Sequence, residues 1–296
     1  MIAVVERLKK LCGAKVYWLF WGYELYDTLC YEKGYKLIDE HFMPFRKESY
    51  FKPNRVTRMI RRLTGNYKPD TVLKLLPMVD YFCFWSRRDY DLLRRYFDYP
   101  IEYKFFAYGA NWHGKDPDGL FPLEEGGAGS VMINHQASFY GNHNTDFKAL
   151  KRIDKDNRLE KIVPLSYGNS AVRERTLRLG KKYFGAKFNP VLDYMPAAEY
   201  FNILRRVDVA LFGQRRQEAS GNIIQLLKNG VRVYLRNDNN LLDYYREKGY
   251  IIFSVEDDLR DEDSLRPLSM EEKRHNRECY LGNLLYYDDF MPEFFA

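Results

Sequence analysis

The sequence predicts an α/β protein made of two Rossmann-like domains, and this prediction rests on chain length, composition and a repeating pattern. The chain has 296 residues, more than one hydrophobic core usually organises, so two domains are expected. Apolar residues make up 46% and charged residues 30%, the composition of a globular protein. From residue 130 onward, short β-like runs alternate with amphipathic helical runs. This alternation is typical of a parallel sheet covered by helices on both faces.

The second predicted domain, residues 129–296, follows a glycine-rich stretch at 124–130. Its predicted strands lie at 130–134, 161–167, 189–193, 208–213, 231–236 and 250–255. Its predicted helices lie at 146–155, 171–184, 196–207, 221–229 and 240–248. Gly230 and Gly249 stand where two of these helices should end, each directly before a strand, which is the usual place of a terminating glycine. The acidic run 256–263 is predicted to be a solvated loop or helix cap.

The first predicted domain, residues 1–128, contains fewer recognisable elements. Strands are predicted at 16–20, 79–85 and 101–106, and a helix at 87–97. A complete Rossmann-like domain needs more βα units than these residues supply. The domain is therefore predicted to be abbreviated, or the sequence begins inside a longer chain.

The N-terminus and the cysteines predict a cytoplasmic protein. The stretch MIAVVERLKKL carries charges where a signal peptide needs its apolar region. The four cysteines form no CxxC pair, which fits reduced thiols. No apolar run approaches the roughly 18 residues of a membrane-spanning helix.

One segment, residues 46–68, carries the whole net charge of +6, because it holds eight basic residues and a single acid. Four apolar residues with helical spacing predict a short basic amphipathic helix here: Val56, Met59, Ile60 and Leu63. Its arginines are predicted to meet an anionic membrane surface or phosphate groups: Arg55, Arg58, Arg61 and Arg62. A solvated helix face explains the composition equally well, and both interpretations stay open. Nucleic-acid binding is disfavoured, because the remaining chain is nearly neutral and carries no RNP, zinc-finger or helix-turn-helix motif.

Three polar loops follow predicted strands of the second domain, where open parallel sheets bind ligands. They cover 134–146, 166–170 and 213–222. The third loop leads into a helix, whose N-terminal N–H groups and partial positive charge favour a diphosphate. Arg215 or Arg216 is predicted to lie beside that diphosphate, with Ser220 as helix cap and Gly221 as the residue of close approach. An arginine-rich surface loop is the alternative, because no complete phosphate-binding motif is present.

The first of these loops contains His135, His143 and Asp146, which do not have the spacing of a zinc site. They are predicted to contact a ligand or to help cap the following helix, and not to bind a metal. Asn144 or Thr145 is predicted as the capping residue of that helix.

Four motifs stand in this chain: GQRRQEASGNIIQLLKNGVRVYLRND (213–238), VPLSYGNS (163–170), an asparagine-rich loop (134–144) and WGYELYD (21–27). Together they resemble the 4-alpha-L-fucosyltransferase family, typified by the TDP-acetamidofucose:lipid II transferases. The resemblance is strongest from about residue 130 to residue 258. It implies a GT-B glycosyltransferase, with two Rossmann-like domains facing across a cleft and the nucleotide sugar held mainly by the C-terminal one. It also implies a dTDP-activated deoxy amino sugar, a polyprenyl-diphosphate-linked acceptor and work at the cytoplasmic membrane face.

The resemblance also implies individual site residues. Arg216, Gln217 and Gly221 occupy the family's Arg-Gln pair and loop glycine, and Asp238 stands where the family has an acidic residue before asparagine. Pro164 and Tyr167 match the second loop, Asn134 opens the asparagine-rich loop, and Trp21, Gly22, Leu25 and Tyr26 match the first-domain motif. Glu218, Ala219 and Ser220 depart from the family pattern, and loop 134–144 is longer and richer in aromatic residues. These departures leave the donor sugar open.

The resemblance therefore implies a fucosyltransferase-like hexosyltransferase of bacterial surface polysaccharide synthesis, peripheral on the inner face of the cell membrane and without a cofactor. Its donor would be a dTDP-, GDP- or UDP-linked sugar such as fucose or acetamidofucose, and its acceptor a lipid-linked or other glycan. The helix N-terminus at 221 and Arg216 would stabilise the leaving diphosphate.

Glu24 is the predicted general base, because WGYELYD follows directly on strand 16–20, and Asp27 is the alternate. A structural acid capping the next helix is the competing interpretation of Glu24. Two rival functions stay open: a non-catalytic nucleotide-sugar-binding or scaffold protein, and a basic nucleic-acid-binding α/β protein.

Overall fold

A computed structural model describes residues 2–39, 55–65, 69–111, 119–125, 127 and 129–295. The chain is an α/β protein and divides into two compact units. Unit 1 comprises Met1–Leu37, Met43–Lys115 and Leu285–Ala296, and unit 2 comprises Ile38–Phe42 and Asp116–Leu284. Every helix in the described part of the chain is too short or too polar to cross a bilayer.

Unit 1 contains a small parallel sheet with helices. Its elements are α1 (Ile2–Cys12), β1 (Tyr17–Leu19), α2 (Tyr23–Lys33), α3 (Arg55–Leu63), α4 (Pro69–Leu75), β2 (Tyr81–Phe84), α5 (Arg87–Tyr96), β3 (Glu102–Phe105) and α12 (Tyr287–Phe295). The strands are ordered β1-β2-β3, and the predicted strands at 16–20, 79–85 and 101–106 are all present. The fully buried rings of Phe20, Phe82 and Phe84 pack against one another and form the centre of its core.

The last helix, α12, belongs to unit 1, whereas the predicted second domain ran to residue 296. Phe290 lies 5.3 Å from Phe105 and Phe294 lies 5.0 Å from Phe106, measured between ring centroids. The apolar stripe of α12 therefore packs on the end of β3 and the residues after it. The apolar stripe of a helix requires an apolar surface to cover it, but the stripe itself does not specify which unit provides that surface.

Unit 2 contains the larger sheet. Its elements are β4 (Ser130–Ile133), α6 (His143–Ile153), β5 (Glu160–Pro164), α7 (Ser170–Phe184), β6 (Phe188–Val191), α8 (Ala197–Leu204), β7 (Val209–Phe212), α9 (Ser220–Leu227), β8 (Arg232–Leu235), α10 (Asn240–Glu247), β9 (Phe253–Ser254) and α11 (Met270–Gly282). All six predicted strands and all five predicted helices of this region are present. Gly230 and Gly249 adopt left-handed backbone angles, φ 76° and 87°, as helix-ending glycines should.

The strand order in unit 2 is β6-β5-β4-β7-β8-β9, and all neighbours are parallel. Counted along the unit, this is the 3-2-1-4-5-6 order of a doubly wound sheet. The direction of winding reverses between β4 and β7. Because ligands of such sheets bind beyond the carboxyl ends of the strands at this reversal, the loops after β4 and β7 mark the candidate site.

Candidate active site

A buried asparagine joins the two loops at the reversal point of the unit 2 sheet. Asn134 directly follows β4, is fully buried and adopts a left-handed backbone with φ 57°. Its Oδ1 accepts a 2.9 Å hydrogen bond from the backbone N–H of Gly213, which directly follows β7. Its Nδ2 donates to Oδ2 of Asp146 at 3.0 Å. Asn134 was predicted to bind the donor, and the structure places it beneath the loops, where it holds them together.

Gly213 allows this close packing. A Cβ there would lie 2.5 Å from Oδ2 of Asp146, so a larger residue would push α6 away. The carbonyl of Gly213 also accepts a 2.8 Å hydrogen bond from Nδ2 of Asn142. Asn134 and Asn142 thus hydrogen-bond to the backbone N–H and the carbonyl of Gly213, respectively, and these bonds fix the loops after β4 and β7 to each other.

The predicted cap of α6 was wrong. The helix begins at His143, and Asn142 precedes it in a left-handed conformation, so Asn144 and Thr145 lie inside the first turn. Thr145 instead donates its hydroxyl hydrogen to Asp39, at 2.6 Å. The helix start carries a run of polar residues, 142–145, and the helix begins directly after Asn142, whose side chain binds the carbonyl of Gly213.

His143 and Asp146 lie in the first turn of α6 and are fully buried. Burial lowers the pKa of His143 to about 3 and raises the pKa of Asp146 to about 8, so both side chains are neutral near pH 7. Among the described residues, neither ring nitrogen of His143 has a hydrogen-bond partner. The same part of the chain holds no group of three or more His, Cys, Asp and Glu side chains arranged to hold a metal ion.

Asp39 is a site residue that the sequence did not indicate. Its carboxylate pairs with Arg215 at 2.7 Å and with Arg236 at 3.0 Å, and its backbone N–H donates to Oδ1 of Asn142 at 2.9 Å. Burial opposes ionisation, but the hydrogen bond from Thr145 and the charge of Arg236 lower the pKa of Asp39 below its ordinary value. Asp39 lies more than 170 residues before its arginine partners, and no local pattern links such distant positions.

Arg215 has two carboxylate partners, because Asp238 binds its other terminal nitrogen. Burial raises the pKa of Asp238, although the charge of Arg215 opposes this shift. The predicted donor-binding residues Arg215 and Asp238 therefore lie together and partly neutralise each other. Asn239, next in the chain, donates to the carbonyl of Gln214 at 3.1 Å and fixes the loop after β8 to the loop after β7.

Arg216 lies in a different environment from Arg215. Its guanidinium carbon is 4.4 Å from the centroid of the Tyr140 ring, and its Nε is 3.3 Å from Oε2 of Glu218. Its Nη1 is buried and has no hydrogen-bond partner among the described residues. A buried guanidinium N–H without a partner is costly, so this atom is a candidate contact for an anionic or polar ligand.

Glu218 organises the side chains around Arg216. It accepts a hydrogen bond from Nε2 of Gln136, and its Oε1 is 3.9 Å from Nε2 of the buried His135. Burial lowers the pKa of His135, although the Glu218 charge opposes this shift. Glu218 appeared in the sequence only as a departure from the family pattern, so its central place was missed.

The N-terminus of α9 is open toward the same loops. Ala219, at φ 64°, is the residue before the helix, and it has no side-chain oxygen to cap the first N–H groups. Ser220 is already the first helical residue, so its predicted role as cap was wrong. A Cβ on Gly221 would meet no atom within 4 Å, which leaves room beside the helix start for a ligand. Uncapped N–H groups and the helix dipole favour an anion there.

Tyr167 and Gln217 complete the predicted donor-binding set. Tyr167 follows β5 and is 48% exposed, and its carbonyl accepts a 3.0 Å hydrogen bond from the N–H of Ala137 in the loop after β4. Gln217 is buried next to Arg216. The predicted residues Arg216, Gln217 and Gly221 therefore lie in one loop and helix start.

Two sets of predicted residues lie in unit 1: the acids on α2 and the arginines on α3. Glu24 is in the first turn of α2, whose preceding residue Gly22 provides no side-chain cap, and Asp27 follows one turn later. Both acids are partly buried. Both acids follow β1 in the chain, and their catalytic roles stay predictions.

The predicted basic helix is present as α3, at Arg55–Leu63. Residues 46–54 and 66–68 of the basic segment lie outside the described residues. Arg58 and Arg62 pair with Glu32 of α2, at 3.9 and 3.1 Å. All four apolar residues of α3 are exposed: Val56, Met59, Ile60 and Leu63. The apolar stripe of this helix is therefore not covered by any described part of the chain.

The parallel sheets of the two units give the chain an α/β fold of the GT-B type, and solved structures agree with this fold. A trehalose-6-phosphate synthase, OtsA, matches with a TM-score of 0.55 and 13% identity over 79% of this chain and 63% of its own. A sucrose-phosphate synthase from Thermosynechococcus elongatus matches with a TM-score of 0.57 and 14% identity over 83% of this chain and 63% of its own.

WaaG, a glycosyltransferase involved in lipopolysaccharide biosynthesis, matches with a TM-score of 0.54 and 10% identity over 96% of this chain and 78% of its own. The chain spans less than two thirds of the length of the two synthases. At these identities the likeness concerns the fold. Comparison with protein-family models gives no match, and comparison with curated protein sequences gives none either. The resemblance to 4-alpha-L-fucosyltransferases remains a prediction.

Proposed function

We propose that this chain is a glycosyltransferase that takes a sugar from a nucleotide-diphosphate donor held by unit 2. The donor is dTDP-, GDP- or UDP-linked, with a deoxy sugar such as fucose or acetamidofucose as the transferred group. The acceptor is a polyprenyl-diphosphate-linked or other glycan of a bacterial surface polysaccharide. The alternatives of a scaffold protein and of a nucleic-acid-binding protein become outcomes of the tests below.

The observation that carries this proposal is the pair formed by Arg216 and the N-terminus of α9. The buried Nη1 of Arg216 lacks a partner among the described residues, and the helix start lacks a side-chain cap. Both lie in the loop after β7, at the reversal point of a doubly wound sheet. A diphosphate would supply oxygen acceptors to both donors, which no neutral ligand does as well.

The chemistry follows from where charge develops. As the bond between the sugar and the diphosphate breaks, negative charge grows on the leaving oxygen. Preorganised N–H donors stabilise that charge without reorganising, and the helix dipole and Arg216 supply such donors. Arg215, tied to Asp39 and Asp238, acts as a positioning residue for this loop.

The nucleotide test is a thermal-shift titration of the full chain with dTDP, UDP and GDP. We expect one of them to raise the melting temperature, since stabilisation grows with ligand concentration over the dissociation constant. Without nucleotide, the Arg216→Met protein should have the melting temperature of the unchanged protein. It should bind the diphosphate at least about tenfold more weakly, as expected for the loss of one charge-assisted hydrogen bond. Arg178→Met, an exposed arginine of α7, is the matched control.

Two results would contradict the proposal. The first is the absence of stabilisation by all three nucleotides. The second is equal binding by the Arg216→Met and Arg178→Met proteins. Donor binding without transfer or donor hydrolysis would favour the scaffold alternative, and steep salt-dependent binding to DNA the nucleic-acid alternative.

For activation of the acceptor we propose Glu24 as general base, with Asp27 as the alternate. Proton removal by such a group contributes typically 10²–10⁴-fold to the rate. We expect Glu24→Gln to lower turnover by about that factor at unchanged donor affinity, measured by release of nucleotide diphosphate. Asp27→Asn is the comparison variant. Near-normal turnover of Glu24→Gln would mean that Glu24 is a structural acid in the first turn of α2.

A further inference from the structure

Three loops meet at the carboxyl edge of the unit 1 sheet, because parallel strands all end at the same side. Residues 20–22 follow β1, residues 85–86 follow β2, and residues 106–109 follow β3. An edge of this kind is where ligands of parallel sheets bind. The proposed donor site in unit 2 does not involve it.

Trp21 and Tyr108 form a stacked aromatic pair at this edge. Their ring centroids are 4.3 Å apart and their planes differ by 13°. The hydroxyl of Tyr108 donates a 2.6 Å hydrogen bond to the carbonyl of Phe20, and its ring packs 6.0 Å from that of Phe84. The tyrosine is therefore anchored to the core of unit 1 and supports the indole from one side.

Trp21 remains 62% exposed although it lies on this support. Because Tyr108 covers one face of the indole, the exposure belongs to the edges and the opposite face. Exposed tryptophan is unfavourable in water, and a face held in a fixed orientation is preorganised for a flat apolar partner. Tyr23, two residues later, is also exposed, at 57%, and extends the aromatic surface.

An acid lies next to the stacked pair. Glu24 stands three residues after Trp21, in the first turn of α2. Burial raises the pKa of the Tyr108 hydroxyl, and the negative charges of Glu24 and Asp89 add to this shift. The surface thus combines an apolar aromatic face with a hydrogen-bond acceptor at its border.

We propose that Trp21 and Tyr108 are the platform on which a pyranose ring of the acceptor saccharide stacks, with its hydroxyl groups directed to Glu24. A pyranose has an apolar C–H face and a border of hydroxyl donors, and this matches an aromatic face beside a carboxylate. A phosphate or a nucleic-acid strand would be repelled by the negative charge of Glu24. The word acceptor rests on the proposed function, whereas ring binding is testable by itself.

The test uses saturation-transfer NMR on the full chain, with methyl glycosides of glucose, galactose and L-fucose as probes. We expect saturation on the C–H groups of one ring face. Trp21→Ala should weaken binding about tenfold, the loss typical of one aromatic stacking contact, and Trp21→Phe should keep part of it. Because Trp21 is exposed, both variants should keep the melting temperature of the unchanged protein. The Arg216→Met protein, altered in the donor loop, should bind the glycosides normally.

Several outcomes would overturn the inference. These are no glycoside binding at millimolar concentration, equal binding with Trp21→Ala, or binding that is lost in Arg216→Met and kept in Trp21→Ala. If phospholipid vesicles protect the fluorescence of Trp21 from quenching by iodide and glycosides do not, the surface contacts a membrane instead.

If nucleotides fail to bind while glycosides still contact Trp21, the proposed function falls and the stacking platform stands. If nucleotides bind and glycosides do not contact Trp21, only this inference falls.

Discussion

Two buried side chains in the first turn of α6, His143 and Asp146, carry opposite pKa shifts. Burial disfavours the charged form of both, which lowers the pKa of the histidine to about 3 and raises that of the aspartic acid to about 8. A neutral carboxyl group retains a hydrogen to donate. Near pH 7 the buried first turn of α6 therefore contributes two polar but uncharged side chains.

The pH dependence of stability follows from these shifts. Asp146 is protonated in the folded state up to about pH 8 but ionises near pH 4 when unfolded, so it lowers the free energy of unfolding as pH rises through that interval. His143 protonates near pH 6.5 when unfolded and only near pH 3 when folded. It therefore raises the free energy of unfolding as pH rises from about 3 to about 6.5. Between about pH 6.5 and 8 only Asp146 of this pair should act, and the free energy of unfolding should fall by up to ~1.4 kcal/mol per pH unit as pH rises.

Chemical denaturation of Asp146→Asn and His143→Gln across pH 3–9 separates the two contributions. Relative to the unchanged protein, Asp146→Asn should gain stability as pH rises from 4 to 8, and His143→Gln should gain stability as pH falls from 6.5 to 3. Parallel stability curves for all three proteins would contradict both pKa shifts.

At the scale of elements, α3 differs from the amphipathic helices of the second sheet such as α6 and α7. The apolar residues of α6 and α7 include fully buried members such as Phe147 and Val172, whereas those of α3 are all exposed, up to 80% for Leu63. A helix with an exposed apolar stripe and a basic face is suited to the surface of an anionic membrane. We propose this surface as a membrane contact, which would bring the proposed glycosyltransferase to a lipid-linked acceptor.

Co-sedimentation with phosphatidylglycerol vesicles tests this proposal. Replacing Arg55, Arg58, Arg61 and Arg62 by glutamine should weaken binding roughly 100-fold, because each basic residue contributes about 1 kcal/mol near anionic lipid and two of them also pair with Glu32. Leu63→Ser should weaken binding to any fluid vesicle. Leu281→Ser, an exposed leucine of unit 2, is the control. Unchanged binding by the four-arginine variant, with normal nucleotide affinity, would exclude the membrane contact.

At the scale of the whole molecule, the chain returns to its first unit. After the doubly wound sheet is complete, α12 packs on unit 1, with Phe294 against Tyr17 and Phe106. Each unit therefore has its own core, and the first one depends on residues from both ends of the chain.

Hydrogen exchange tests this division. Phe294→Ala should remove about 3 kcal/mol from unit 1, the usual cost of deleting a buried aromatic ring. Amide protection should fall in β1, β2 and β3 and stay unchanged in β4 to β9. Phe184→Ala, a fully buried phenylalanine of α7, should give the reverse pattern. Equal loss of protection in both sheets after either change would mean that the two units unfold together.

Local pattern determined most of the elements of this protein. The alternation of apolar runs and helical stripes, with Gly230 and Gly249 as stops, predicted the strands and helices of the second sheet, because burial and backbone hydrogen bonding act over a few neighbouring residues. The polar loops after these strands, with Arg216 and Gly221, were also predicted from local pattern, and Gln217 from the family resemblance; their binding roles stay predictions.

Tertiary structure alone decided how distant residues meet. It brought Asp39 to Arg215 and Arg236, set Glu218 among His135, Gln136 and Arg216, and stacked Trp21 on Tyr108. It also assigned α12 to the first unit and left the apolar stripe of α3 uncovered by the described chain. A sequence specifies which side chains require a charged, aromatic or apolar partner, but several partners satisfy each requirement, and only the packing of the complete chain selects among them.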